Sequence, residues 1–249
     1  QKLVVKVWDP TNDGTQPRGK QVKNPESIWY TPVTGIWQTV WLEPVSKKHF
    51  SSLKTTPDID RGTKNIKAEA EAAVLGDLVE ITVFDGTTAI TAAKAAAGES
   101  LDIGLNNPKL WSPDSPFLYD VKVKLISGGK VTDEVKSYFA MRKISSKRDE
   151  NGIVRIQLNN KDCFQFGPLD QGWWPDGLYT APTDEALKYD IARTKELGFN
   201  MIRKHVKVEP ARWYTHCDKM GIMVWQDMPS GDEGPIWQMH KYFDGTELK

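Results

Sequence analysis

Arg203, Lys204 and His205 stand together, and so do Gln226 and Asp227, each group directly after a short apolar run. The first run holds Phe199, Met201 and Ile202 behind Gly198, and the second spans residues 222–225. Runs of this kind suit strands buried on both faces. In parallel α/β folds ligands meet the carboxyl ends of the strands, so Arg203, His205, Gln226 and Asp227 are the first candidates for a site. What these residues offer is charge and hydrogen bonding. No Gly-x-Ser-x-Gly elbow, phosphate-cradling glycine motif or His-rich metal spacing occurs in the chain.

The elements that must position them can be read outward from this stretch. Trp213, Cys217 and Met220 recur at the spacing of one helical face, with Pro210 near the start and Gly221 at the stop, so residues 198–227 read as strand, helix, strand. Upstream, Thr183 caps another helix, and Asp184 and Glu185 suit its positive end. Leu187, Ile191, Thr194 and Leu197 should share its buried face, and Gly198 ends it. Two earlier strands are expected at 153–158 and 163–166, around the Asn159-Asn160 turn. Residues 167–182 then form a loop with Gly167, Gly172, Gly177, Pro168, Pro175 and Pro182 interleaved with Trp173, Trp174 and Tyr179, a rigid mixture suited to a binding surface. The order is strand, helix, strand, helix, strand from near residue 163. A closed (β/α)8 barrel needs ~250 residues, so this part corresponds to its first three strands at most.

The middle of the chain has a different pattern. Alternating runs at 66–72, 79–84, 100–103, 119–126 and 134–139, separated by turn signals such as Asp85-Gly86, predict a β-sandwich of roughly 100 residues, immunoglobulin-like in size. Residues 89–97 are ambiguous, because their alanines favour helix while their setting favours a hairpin; irregular strand or loop is the expectation. Pro108, Pro113 and Pro116 fix an extended loop that Leu110, Trp111, Phe117 and Leu118 should anchor to the sandwich core. Before the sandwich, Leu3, Val5 and Val7 and the run 37–42 predict two strands around a long polar loop. Two strands cannot stand alone, so this segment reads as the end of a β-domain, against which Trp29, Tyr30, Trp37 and Trp41 would pack.

Composition narrows the function classes. Lys plus Arg and Asp plus Glu are both 33 in 249 residues, which removes the basic field that nucleic acid or an anionic membrane would need. No apolar run approaches the ~20 residues of a membrane span, so a soluble chain is expected. The compartment is left open, a periplasmic or secreted protein being compatible with the sequence. Cys163 and Cys217 lack metal-ligand spacing and are expected to be buried reduced thiols. The 10 tryptophans tilt the odds toward carbohydrate, whose rings stack on aromatic faces, but also serve as core material.

Three stretches resemble glycoside hydrolase family 2, which includes β-galactosidases, β-glucuronidases and β-mannosidases. Gly35-Ile-Trp-Gln-Thr-Val-Trp-Leu-Glu43 is similar to the end of the family's N-terminal jelly-roll domain, and Leu110-Trp-Ser-Pro-Asp-Ser-Pro-Phe-Leu-Tyr119 to its immunoglobulin-like domain. The stretch 198–227 resembles the opening of the catalytic barrel, where an Arg after the second strand is followed by a Trp-Tyr-x-x-Cys-Asp helix. The implied organisation is the last part of a jelly roll over residues 1–46, a sandwich over 47–142 and the first part of a TIM barrel over 143–249. The implied substrate is a terminal β-linked glycoside, a β-galactoside first of all, cleaved by a retaining mechanism. There one Glu protonates the leaving oxygen and another attacks the anomeric carbon, with the carboxyls about 5 Å apart.

In the family those acids follow the fourth and seventh barrel strands, which would lie beyond Lys249. No catalytic residue is therefore assigned, Glu209 and Glu233 are set aside, and the chain by itself is expected to be inactive. The resemblance points to Arg203, His205, Asp170, Trp173, Trp174, Asp176 and Asp227 as substrate-binding residues. His205 departs from the pattern: many β-galactosidase relatives place a His three residues beyond the Arg, followed by Tyr-Pro, whereas His205 lies two beyond and is followed by Val206 and Lys207. No metal or cofactor is expected, nor a nucleic-acid or membrane partner; a homo-oligomer is compatible with the sequence. The competing reading is a noncatalytic carbohydrate-binding or scaffolding module.

Overall fold

The computed structural model describes residues 2–231. Glu233 lies outside the described residues. Two compact units emerge: Trp41–Gln165 with Asp218–Gly221 form one, and residues 2–40, Phe166–Cys217 and 222–231 form the other.

The first unit is built on strands β1 (His49–Asp58), β2 (Thr63–Glu71), β3 (Leu78–Asp85), β4 (Thr88–Ala96), β5 (Ser100–Gly104), β6 (Tyr119–Ser127) and β7 (Lys130–Phe139). They form two antiparallel sheets, ordered β1-β2-β5 and β4-β3-β6-β7. Alternation drives the burial: Ile66 and Ala68 from one sheet, and Val79, Ile81, Val83, Val121, Val123 and Leu125 from the other, share one core. This is the expected immunoglobulin-like sandwich.

The alanine-rich run is a strand with one irregularity: in β4 Ala93 lies opposite Ile81 and Ala95 opposite Val79, and the register shifts where Val83 gives way to Phe84, so pairing with a buried neighbour overrides the helical preference of alanine. β1 had no sequence signal, because Ser51, Ser52, Lys54 and Thr56 blur its alternation; among the described residues it pairs only with β2, and an edge position accommodates Pro57. The proline-rich loop is anchored as expected: Trp111 is fully buried and its amide donates to the Met141 carbonyl at 2.9 Å. A small antiparallel sheet of β8 (Ile144–Arg148), β9 (Val154–Leu158) and β10 (Lys161–Asp162) completes this unit.

The second unit contains a parallel sheet in the order β11 (Leu169–Asp170), β12 (Met201–Lys204) and β13 (Met223–Gln226), with helices α1 (Asp184–Glu196) and α2 (Ala211–Met220) between successive strands. Its first strand falls at 169, inside what the sequence reads as loop, and not at 163–166. That run is engaged at its ends by other partners, the Cys163 amide donating to the Ile156 carbonyl at 2.9 Å and the Phe166 carbonyl accepting the Asn200 amide at 3.0 Å, and Phe164 and Phe166 are exposed. Thr183 caps α1 by accepting the Ala186 amide at 3.1 Å. Leu187, Ile191 and Thr194 are buried, whereas Leu197 is exposed, since it lies one residue past the last turn. In α2 Trp213 and Cys217 face inward.

The N-terminal segment departs from expectation. Among the described residues 2–46 no strand forms; Gln21 and Tyr30 make an isolated bridge. Leu3, Val5 and Val7 are exposed, and an extended run without a neighbouring strand has no ladder to satisfy its backbone. Tyr30 and Trp37 pack against Trp173 and Tyr179 of the second unit rather than against further β-structure. Cys163 is half-buried and Cys217 buried, and neither is in a disulfide. Among the described residues no helix is long and apolar enough to cross a membrane.

Candidate functional site

Main-chain hydrogen bonds join the carboxyl ends of the three parallel strands. The His205 amide donates to the Asp170 carbonyl at 2.8 Å, and the Asp227 amide donates to the Lys204 carbonyl at 3.0 Å. Residues distant in sequence are thereby brought to one edge of the sheet. Alternation along β12 then separates its two cations, leaving Arg203 exposed and Lys204 buried.

On the open side Arg203 grips Asp227 as a fork, Nε at 3.1 Å and Nη2 at 3.0 Å from Oδ2. His205 Nε2 lies 3.8 Å from the same oxygen, and its Nδ1 lies 3.5 Å from Gln171 Nε2. Burial, then the neighbouring Lys20, and more weakly Arg203, push the His205 imidazole below its ordinary value, while Asp227 pulls the other way.

Beneath lies a buried charge cluster. Lys204 Nζ donates to Asp170 Oδ2 at 2.6 Å and to Glu209 Oε1 at 3.0 Å, and sits 4.4 Å from the centre of the Trp213 ring. Lys207 Nζ donates to the carbonyls of Gly172 and Tyr179 at 2.6 and 2.7 Å and lies 3.1 Å from Glu209 Oε1. Two ammonium groups meet two carboxylates, which is what allows this much charge to be buried. Burial still lowers the Lys207 pKa, against the pull of Glu209, and raises that of Tyr179 to about 12. Gly172 sits at φ +62, and a Cβ there would collide with Glu209 and the Lys207 side chain, so only glycine fits.

An aromatic wall stands on the loop that Lys207 holds. Trp173 stacks on Tyr30 at 4.6 Å and 10°, and meets Tyr179 edge-on at 5.3 Å, while Trp37 also meets Tyr179 edge-on at 4.5 Å. Tyr30, Gln171 and Trp173 also line an open cleft shared with Arg193, Leu197 and Phe199.

Of the residues singled out from sequence, Asp170, Arg203, His205 and Asp227 come together, and Trp173 joins them through Tyr30 and Gln171. Trp174 turns back in a small bridge with Leu178, its indole Nε1 buried without a hydrogen-bond partner among the described residues. Asp176 is exposed near the tip of this loop, outside the cluster. Sequence reasoning missed Lys204, Lys207, Gln171 and Tyr30, and set Glu209 aside. Glu209 is buried between two lysines. The signal available for Lys204 was period-2 alternation with Arg203 along a buried strand. Among the described residues no group of His, Cys, Asp and Glu is arranged to hold a metal ion.

Residues 48–142 match the family model of glycosyl hydrolases family 2. The chain is 30% identical over 221 residues to a putative beta-glucuronidase of Formosa agariphila, which covers 83% of this chain and 20% of that protein. It is 28% identical over 196 residues to a beta-galactosidase of Lactococcus lactis, covering 77% of this chain and 19% of that protein. Among solved structures, a beta-glycosidase from Bacteroides vulgatus shares the fold with a TM-score of 0.68 at 24% identity, over 79% of this chain and 26% of that one. The chain thus spans about a fifth to a quarter of the length of the first curated relatives it matches, 20% of one and 24% of the next.

Proposed function

We propose that this chain, a glycosyl hydrolases family 2 fragment by its family-model match over residues 48–142 and its likeness to curated relatives, works as part of a larger retaining β-glycosidase acting on terminal β-linked sugars. The observation that carries the reading is the meeting of Arg203, His205 and Asp227 at the carboxyl ends of neighbouring parallel strands. In a (β/α)8 barrel that edge faces the substrate. The parallel β11, α1, β12, α2, β13 order supports the opening of such a barrel, and the short share of the relatives' length supports a piece of a longer enzyme. Arg203, held by Asp227, and His205 supply hydrogen bonds to sugar hydroxyls, and the Trp173 and Tyr30 rings supply an apolar wall. The acid and the nucleophile of the retaining reaction are two glutamates outside this chain, about 5 Å apart in the assembled site.

β-Galactosides are the first substrate class, as in the Lactococcus relative; the Formosa relative's name favours β-glucuronides as the second reading. Nitrophenyl β-galactoside, β-glucuronide and β-mannoside would be assayed with the longer protein that contains this chain and with the 249-residue chain itself. Turnover of one glycoside by the longer protein and none by the chain is expected. Hydrolysis by the chain alone, or sugar binding by the longer protein without any turnover, would overturn the proposal, the latter in favour of a noncatalytic carbohydrate-binding module.

A further inference from the structure

Hydrogen bonds run from the N-terminal segment to the candidate site in a chain whose direction can be worked out atom by atom. The Tyr30 hydroxyl is in close contact with Gln171 Oε1. A phenol both donates and accepts, but a carboxamide oxygen only accepts, so the Tyr30 O–H is the donor. In the structure the amide oxygen faces Tyr30, and its NH2 faces His205 Nδ1 at 3.5 Å. An NH2 group only donates, so Nδ1 must present its lone pair and the ring proton of the neutral imidazole resides on Nε2. Nε2 in turn points toward Asp227 Oδ2 at 3.8 Å, beside the exposed guanidinium of Arg203.

We propose that Tyr30, acting through Gln171, is a positioning residue that holds His205 as its Nε2–H tautomer and so gives the site a hydrogen-bond donor rather than an acceptor. That the donor serves a sugar hydroxyl rests on the glycosidase reading above; the tautomer itself does not. The charged groups near the ring act on its proton affinity, Lys20 and Arg203 lowering it and Asp227 raising it, but the amide selects which nitrogen bears the proton. The device is local to one unit and depends on the stack of Tyr30 on Trp173, which holds the phenol in place.

The test is the imidazole nitrogen spectrum of the whole 249-residue chain at neutral pH, with the His205 signals assigned by their loss in His205→Ala. The expected wild-type result is an unprotonated Nδ1 and a protonated Nε2. Tyr30→Phe keeps the ring stack but frees the amide, so both nitrogen shifts should move toward their tautomeric average. Gln171→Glu replaces the donor by an acceptor, so the proton should move to Nδ1. A protonated Nδ1 in the wild type, or wild-type shifts in Gln171→Glu, would overturn the proposal even if Tyr30→Phe fails to fold. Adding methyl β-galactoside or methyl β-glucuronide to the longer protein that contains this chain, with the His205 signals assigned in the same way, separates the two ideas. An assigned tautomer that neither sugar perturbs would count against the glycosidase reading while leaving the role of Tyr30 intact.

Discussion

Lys207 is the residue on which the aromatic loop is fastened. An ammonium has three N–H groups, and here they meet the Gly172 carbonyl, the Tyr179 carbonyl and Glu209, with the Tyr179 ring 4.5 Å from Nζ. Lys207→Met would keep the stem and remove every donor, leaving two carbonyls unsatisfied and Glu209 dependent on Lys204 alone. Breaking a buried pair from one side costs about 3–5 kcal/mol, so the urea midpoint should fall sharply and the tryptophan emission of the loop should move to the red. An unchanged midpoint would mean that water already reaches these groups. Arg203, His205 and Asp227 were legible in the sequence because polar residues after apolar runs mark strand ends. Lys207 and Lys204 were not, since a lysine near a strand end ordinarily reads as solvated. Their burial depends on partners such as Asp170, 34 residues from Lys204, whose proximity only the parallel pairing of β11 with β12 creates.

At the scale of elements, α1 carries the spacing between β11 and β12, and its start is set by one side chain. Thr183 Oγ1 accepts the Ala186 amide, while Asp184 and Glu185 sit in the first turn where the helix dipole favours them. Thr183→Ala should cost about 1 kcal/mol, read as a lower thermal midpoint, and Thr183→Asp should recover most of it. Equal losses in both variants would show that the cap contributes through the threonine methyl and not through its oxygen. Caps, terminal glycines and one-sided apolar spacing are local signals, which is why both helices and most sandwich strands could be read directly. β4, β11 and the N-terminal segment could not. A run of alanines becomes a strand only beside Val79 and Ile81, and a two-residue strand exists only because β12 lies next to it. Among the described residues Leu3, Val5 and Val7 have strand alternation but no neighbouring strand, and alternation without a partner does not make a sheet.

For the molecule as a whole, 33 basic and 33 acidic residues leave little net repulsion near neutrality, so a few buried groups should govern the dependence of stability on pH. On the acid side Asp77, held first by Lys48 and then by Ser127 and the Val74 amide, is depressed to about 2 in the folded chain. Its contribution is present above the unfolded value of about 4 and is lost as the pH falls toward 2. Lys64 acts in the opposite direction. It is buried with its ammonium over the Phe139 ring, and burial, helped by the charge of Arg142, lowers its pKa to about 8. The unfolded chain holds that proton up to about 10.4, so folding releases a proton between the two values and stability rises with pH across that window. Lys64→Met keeps the stem and removes the charge that burial penalises. At pH 7 the variant should be more stable by on the order of 1–3 kcal/mol, and urea titrations at successive pH values should show this advantage shrinking as the pH approaches 10. A variant that is less stable at pH 7, with a gap that does not vary with pH, would mean that the ammonium over Phe139 stabilises the core as a cation, 4.9 Å from the ring centre, and that burial is not its dominant effect.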